Sequence, residues 1–291
     1  MATCRTEIVP TPIGTVEIAR GDAAGPAVLF FPGGHCSAVT DCGWDLYAGL
    51  GYTIVSFSRP GYGRTRVGDL SAVEFMPAVE QVCGALGLSE VAAVVGVSFG
   101  ALQAVPAATS EGIAARRLIL HSGAPSTLPY PDTVAERIAG PVMFGPQVQR
   151  ATWAAISRVV RTERGLRALC GSLSTLPTDR WWPSWNQQDR DKARKMFESM
   201  GSDRGFANDL RQAGTDSAEY RRWLLGRVAC PTLVTGSRHD GGVSFAHAED
   251  FAATIPGAQL VELDSPTHLF WIGPHAATAR QAVRTFLTDT A

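Results

Sequence analysis

The amino-acid sequence predicts an α/β protein: a mostly parallel sheet flanked by helices, with a helical segment inserted between two of its strands. Three observations predict it. Over the first third of the chain, short β-rich runs ended by turn residues alternate with helical stretches. Some of those runs are apolar at every position, as strands buried on both faces are. The alternation breaks after about Ser126 and resumes at Pro231, so the stretch between them lies between strands of one sheet.

Taken in order, Glu7–Val9 and Thr15–Ala19 read as a hairpin turned near Pro12 and Gly14. Ala27–Phe31 is a continuous apolar strand stopped by Pro32-Gly33-Gly34, and Tyr52–Ser58 is a strand ended by Arg59-Pro60-Gly61-Tyr62-Gly63. Ser71 and Glu74 have capping-box spacing, and Phe75, Val79, Val82 and Leu86 give the stripe of the helix they open. Strands follow at Val91–Val97 and Leu118–His121, with a helix after Gly100. The inserted stretch carries Trp153, Trp181, Trp182, Trp185 and Trp223, five of the seven tryptophans, and is basic on balance, while the remainder of the chain is acidic. A strand at Pro231–Thr235, a helix at Phe245–Ile255, a strand at Gln259–Leu263 and a helix at Ala276–Leu287 complete the pattern.

Composition narrows the function. With 45% hydrophobic residues and 18% charged, the 291-residue chain has the apolar content of a folded core rather than of a disordered segment. A net charge of -1 supplies no field to gather nucleic acid or anionic lipid, so neither is expected as a partner. Six scattered cysteines show no C-x-x-C pair or zinc-ligand spacing, and the N-terminus lacks the apolar core of a signal peptide; reduced thiols in a cytoplasmic protein without a metal are expected. Val91–Ser110 is uncharged and about long enough to span a bilayer, but a strand, a tight turn and a helix explain it better.

That turn is Gly96-Val97-Ser98-Phe99-Gly100, a G-x-S-x-G sequence between a β-branched strand and a helix. A nucleophile elbow requires this context: the serine is held in a strained turn at the strand tip, with small residues two positions either side of it. A serine hydroxyl needs an adjacent base. His268 follows the last strand and Asp240 the strand before it, and loops at the carboxyl ends of parallel strands converge on the same rim as the elbow. Asp264 is the competing acid, but it belongs to the exit of the last strand.

With the order Ser98, Asp240, His268 in place, the sequence resembles the α/β-hydrolase superfamily, in the type with a helical cap inserted after the sixth strand. The likeness covers nearly all of residues 20–124 and 229–291 and implies a core of residues 1–124 and 229–291 with a cap of residues 125–228. Phe31-Pro32-Gly33-Gly34 resembles the family's H-G-G oxyanion segment, and Ser58–Thr65 resembles its R-P-G-x-G-x-S turn. Three positions depart from the pattern: Pro32 stands at the usual His, Pro-Thr precedes His268, and Pro106 falls inside the helix after the elbow. The resemblance implies an oxyanion hole from the backbone N–H groups of Gly34 and Phe99. It implies a serine hydrolase acting on a small, largely apolar ester, lactone or related acyl compound, with no cofactor. Carbon–carbon hydrolases, aminopeptidases, thioesterases and cofactor-free lyases share the triad, and a hydrolase-like binding protein is the non-catalytic alternative. Epoxide hydrolases and haloalkane dehalogenases place Asp where this chain has Ser98. His35 and His121 are candidates to line the site; Trp181, Trp182 and Trp185 read either as packing between the cap helices and the core or as walls of an apolar pocket. Arg59 reads as a brace for its loop, and Cys36 as a small filler beside the oxyanion segment.

Overall fold

The computed structural model describes residues 4–132, 144–145 and 147–289. The chain opens with a hairpin, β1 (Cys4–Thr11) and β2 (Gly14–Gly21), whose register closes at Thr11 opposite Gly14. Both strands are longer than the sequence suggests, because backbone pairing continues through residues that are half-buried or exposed. β3 (Ala27–Phe31) matches its expected bounds. A single-turn helix, α1 (Asp45–Ala48), then leads into β4 (Thr53–Phe57).

At Ser71 the anticipated cap forms: the backbone N–H and hydroxyl of Ser71 both donate to Glu74, and Glu74 N–H donates back to the Ser71 hydroxyl. It closes a turn, however, and the regular helix α2 starts one turn later, at Met76–Ala85. Ala92 interrupts the single strand expected over Val91–Val97. The structure has β5 (Glu90–Val91) and β6 (Ala93–Val97), followed by a 3₁₀ turn at Ser98–Gly100 and α3 (Ala101–Ala108). β7 (Ala114–Ala115) pairs with β5 in a separate small sheet, and β8 (Leu118–His121) returns to the main one. After the inserted segment come β9 (Thr232–Gly236), helix Phe245–Thr254, β10 (Gln259–Glu262) and helix Ala276–Thr288.

The main sheet has eight strands in the order β1-β2-β4-β3-β6-β8-β9-β10. Pairing is antiparallel at β1–β2 and β2–β4 and parallel from β4 to β10. β3, β4, β6, β8 and β9 are buried at every residue, which is why their sequences read as unbroken apolar runs. Alternation sorts their side chains to two faces. Leu29, Phe31, Val55 and Phe57 pack with Val79, Val82, Ala104 and Phe251 on one side. Val28, Phe30, Ile54 and Val95 pack with Tyr47, Phe270, Val283 and Phe286 on the other. β10 is an edge strand and stays largely exposed.

Between β8 and β9 the described residues form helices at Gln149–Val159, Glu163–Gly171, Gln187–Ser199, Gly205–Gln212 and Ala218–Leu225. Thr162 and Asn186 cap two of them; Asn186 does so in a reciprocal box with Asp189. Trp181, Trp182 and Trp185 form a cluster with Val160, Leu166, Cys170 and Met196, and this cluster also takes in Leu269 and Ile272 from the loop that follows His268. No described helix is long and apolar enough to cross a membrane.

Candidate active site

Ser98 sits at the tip of β6 with φ +52°, a left-handed conformation that a non-glycine residue holds only where its surroundings impose it. The flanking glycines show what imposes it. A Cβ on Gly96 would come within 2.8 Å of Ala104 Cβ and 2.9 Å of Ala101 Cα, and one on Gly100 would overlap the Phe31 carbonyl oxygen. Strand and helix therefore meet backbone to backbone around the serine.

Asp240 follows β9 and His268 follows β10. His268 Nδ1 lies 2.8 Å and 3.0 Å from the two Asp240 carboxylate oxygens. Asp240 Oδ1 also accepts from Gly242 N–H at 2.7 Å and Val243 N–H at 2.9 Å, which fixes the carboxylate. An ionised carboxylate only accepts, so Nδ1 carries the imidazole proton and Nε2 is left with its lone pair. Burial disfavours a charged His268, but the Asp240 charge and hydrogen bond outweigh it and raise the imidazole pKa above its ordinary value. Asp264 is elsewhere: it is exposed and pairs with His275.

Ser98, Gly34, Phe99, His35 and His268 line one cavity of about 340 Å³. Gly34 packs against Phe99 so closely that a Cβ there would stand 2.9 Å from the ring. Leu173 in the inserted segment was not anticipated, yet it ties the Asp240 and His268 loops together. Its carbonyl accepts from Gly241 N–H (3.1 Å) and His268 N–H (2.8 Å), while the Ser174 hydroxyl donates to the Pro266 carbonyl at 2.5 Å.

Arg59 braces the proposed oxyanion loop. Its guanidinium donates to the carbonyls of Pro32 (3.2 Å) and Gly33 (3.0 Å), and to both oxygens of Asp209 on helix Gly205–Gln212 (2.5 and 2.9 Å). The Tyr62 hydroxyl donates a third bond to Asp209 at 2.6 Å. Arg59 and Asp209 are both buried. Burial pushes the Asp209 carboxyl up, against the Arg59 charge and the bonds it receives, while the guanidinium beside it stays charged. The brace thus spans the sheet and the inserted segment, a role that the position of Arg59 in a turn motif suggested only in part.

Two expectations are corrected. His121 is fully buried in the sheet core rather than at the cavity: Nε2 meets the Tyr47 hydroxyl at 2.7 Å, Nδ1 meets Thr235 Oγ1 at 2.6 Å, and burial lowers its pKa to about 3. Trp181, Trp182 and Trp185 do not line the cavity either; they hold the inserted helices together. The apolar walls are instead Tyr130, Phe144, Met196, Met200, Phe206 and Trp271. Only Met196 and Met200 share an element, at i,i+4 spacing on helix Gln187–Ser199 and its C-cap; the other four come from separate segments, so no single pattern marks the six. Cys36 does lie beside the oxyanion loop, on the cavity, with its sulfur 3.9 Å from that of Cys42. Among the described residues, no cluster of three metal-ligating side chains occurs.

A family model described as the alpha/beta hydrolase family matches residues 28–281. The chain belongs to that family and has its fold, a mostly parallel central sheet flanked by helices. It is 30% identical over 287 residues to an uncharacterized hydrolase, YcgS, of Bacillus subtilis (strain 168), covering 97% of this chain and 98% of that protein. Among solved structures, an alpha/beta hydrolase fold protein from Nakamurella multipartita superposes with a TM-score of 0.72 at 24% identity, covering 97% of this chain and 99% of the other. The esterase RhEst1 from Rhodococcus sp. ECU1013 gives 0.66 at 19% identity, covering 99% and 100%. At these identities the two structures speak to the fold alone.

Proposed function

We propose that the protein is a serine hydrolase that cleaves a carboxylic ester, lactone or related acyl compound through an acyl-enzyme on Ser98. One observation carries the reading. His268, with its Nδ1 proton committed to Asp240 and its Nε2 lone pair left over, lines the cavity that the elbow serine also lines. In this reading Nε2 takes the Ser98 proton as Oγ attacks the carbonyl carbon, and Asp240 stabilises the imidazolium that forms. The Gly34 and Phe99 amides receive the oxyanion. The leaving group departs with the His268 proton; water, activated by the same nitrogen, then attacks the acyl-serine and restores the enzyme.

The substrate class follows from the walls. Apart from His268 and His35, no ionisable nitrogen and no carboxylate from the described residues lines the cavity, which favours an uncharged, largely apolar acyl group. Glu163, Glu198 and Glu219, the acids that an aminopeptidase reading would need to hold a substrate amine, do not line it. Residues 125–228 act in this reading as the cap that walls the acyl group from water; residues 133–143 and 146 of that segment lie outside the described residues.

A fluorophosphonate tests the reading without knowledge of the substrate. One adduct, mapped to Ser98 and lost in His268→Ala, is expected. A folded protein that gives no adduct, or one at another residue, overturns it.

A further inference from the structure

His35 follows the two glycines of the proposed oxyanion loop and has φ +63°, left-handed backbone at a residue with a Cβ. It is held from both ends. Its N–H lies 3.4 Å from the Tyr62 hydroxyl oxygen, and its carbonyl accepts from Gly201 N–H at 2.8 Å. The ring is walled by aromatics, with centroids 4.0 Å from Phe206, 4.4 Å from Phe144 and 5.1 Å from Trp153. Such fixation is more than a turn residue needs.

The polar contacts of the ring determine its tautomer. His35 Nδ1 lies 2.7 Å from the Ser202 hydroxyl, and Trp153 Nε1 lies 2.7 Å from the same oxygen. An indole N–H can only donate, so Ser202 Oγ accepts from Trp153. Ser202 is fully buried, and His35 Nδ1 is the acceptor that the described residues offer its single hydroxyl proton. Nδ1 is therefore the unprotonated nitrogen, and the ring proton sits on Nε2. No described residue is a hydrogen-bond partner of Nε2, and the ring lines the cavity beside Ser98. Burial, aided by the nearby Arg59 charge, holds the imidazole pKa down to about 3, so the ring is neutral throughout the working range.

We infer that His35 is a specificity-determining residue whose Nε2–H donates to an uncharged acceptor oxygen on the acyl part of the substrate, close to the scissile carbonyl. The substrate class is then narrower than a plain alkyl ester: an acyl group with an oxo, alkoxy or ring oxygen within a few bonds of the reacting carbon. The inference rests on the serine-hydrolase reading. A buried donor that meets a methylene instead of oxygen is left without a partner, and sites of this kind discriminate against the analogue that lacks the acceptor.

The test uses two probes of nearly equal shape, p-nitrophenyl methoxyacetate and p-nitrophenyl butyrate, in which an oxygen replaces one methylene. The ratio of their kcat/KM values in wild type, divided by the ratio in a variant, cancels the intrinsic reactivity of each ester. His35→Phe keeps a ring, and His35→Gly keeps the left-handed backbone without strain. Either is expected to lower the methoxyacetate preference about tenfold. Ser202→Ala, which frees the tautomer, is expected to lower it several-fold. In parallel, ¹⁵N NMR of the wild-type imidazoles is expected to show His35 neutral and protonated at Nε2 from pH 5 to 8. A preference unchanged in a folded variant, or a ring protonated at Nδ1, overturns the inference while the hydrolase reading stands. Failure of wild type to cleave either ester, with no fluorophosphonate adduct on Ser98, removes the reading and the inference with it.

Discussion

The floor and the walls of the cavity are built by different physics. The floor consists of strand ends and tight turns: the elbow at Ser98, the Gly33–Gly34 loop and the loops bearing Asp240 and His268. Its geometry is imposed by backbone sterics, as at Gly96 and Gly100, and by short hydrogen bonds around Asp240. The walls come from the inserted helices and from single side chains such as Tyr130 and Trp271. They are held by apolar packing and by two polar ties, Arg59 with Asp209 and Leu173 with His268. Substitutions in the floor should therefore act on turnover, and substitutions in the walls on stability or on the choice of substrate.

The sharpest break of that comparison is Ser98→Ala. It is expected to reduce ester turnover by about 10⁴-fold or more, with an unchanged urea midpoint, because it removes one buried oxygen and relieves no packing. Equal losses of activity and stability would deny that the floor is specialised for chemistry.

Asp240→Asn should lower kcat by about 10³–10⁴, because the amide no longer forces the Nδ1 tautomer. It also has a pH signature. Since Asp240 raises the His268 pKa, the protonated, inactive imidazole persists to a higher pH than in a free histidine. The acid limb of kcat/KM should lie above the ordinary value of about 6.5 in wild type and move down in the variant. A limb that does not move between the two would argue against His268 as the base.

Next in size is the tie between floor and walls. Asp209→Ala leaves Arg59 charged and buried without its partner and is expected to cost about 3–5 kcal/mol in chemical denaturation. Arg59→Met combined with Asp209→Leu should cost less than Asp209→Ala, because no charge is stranded. A larger cost for the double variant would mean that the brace acts through packing alone.

A smaller effect is expected in the sheet core. His121 has a folded pKa of about 3 against about 6.5 in the unfolded chain. Its contribution is complete above pH 6.5 and lost progressively as the pH falls toward 3, because the unfolded chain binds the proton first. At pH 5 the loss is about 2 kcal/mol; His35, lowered alike, adds a loss of the same sense, and His268, whose raised pKa acts in the opposite sense, offsets part of the sum. Urea midpoints at pH 7 and pH 5 should therefore draw closer together in His121→Gln than in wild type.

Smallest of all is a wall change. Phe206→Leu is expected to raise KM for longer acyl esters by a few-fold, about 1 kcal/mol, with little change in kcat. A fall in kcat without a change in KM would assign Phe206 to the floor.

The difference between floor and walls also explains what could be read in advance. Strands buried on both faces show as apolar runs, and a turn that admits no Cβ shows as Gly96 and Gly100. Ser98, Asp240 and His268 were readable because each follows a strand whose direction is set by the parallel sheet. The contact between His268 and Asp240 needed coordinates, but the placement of the three residues on one rim did not. The tryptophans left two readings open because aromatic content marks packing as readily as a pocket. Trp181, Trp182 and Trp185 fill the core of the inserted segment, and Phe206 and Phe144, unremarkable in sequence, reach the cavity. His35 and His121 looked alike in sequence, each near a strand end. One turned toward the cavity and the other into the sheet, where Tyr47 and Thr235 occupy both its nitrogens.

The sequence by itself determined the strand–helix alternation, the break in it and the local geometry of the elbow, because these depend on residues near one another along the chain. The tertiary structure alone decided which side chains wall the cavity, which histidine of that pair lines it, and how Arg59 and Leu173 join the inserted segment to the Gly33–Gly34, Asp240 and His268 loops. Those contacts link residues far apart in sequence, such as Arg59 and Asp209, and no local pattern records which distant partner a buried charge or carbonyl meets.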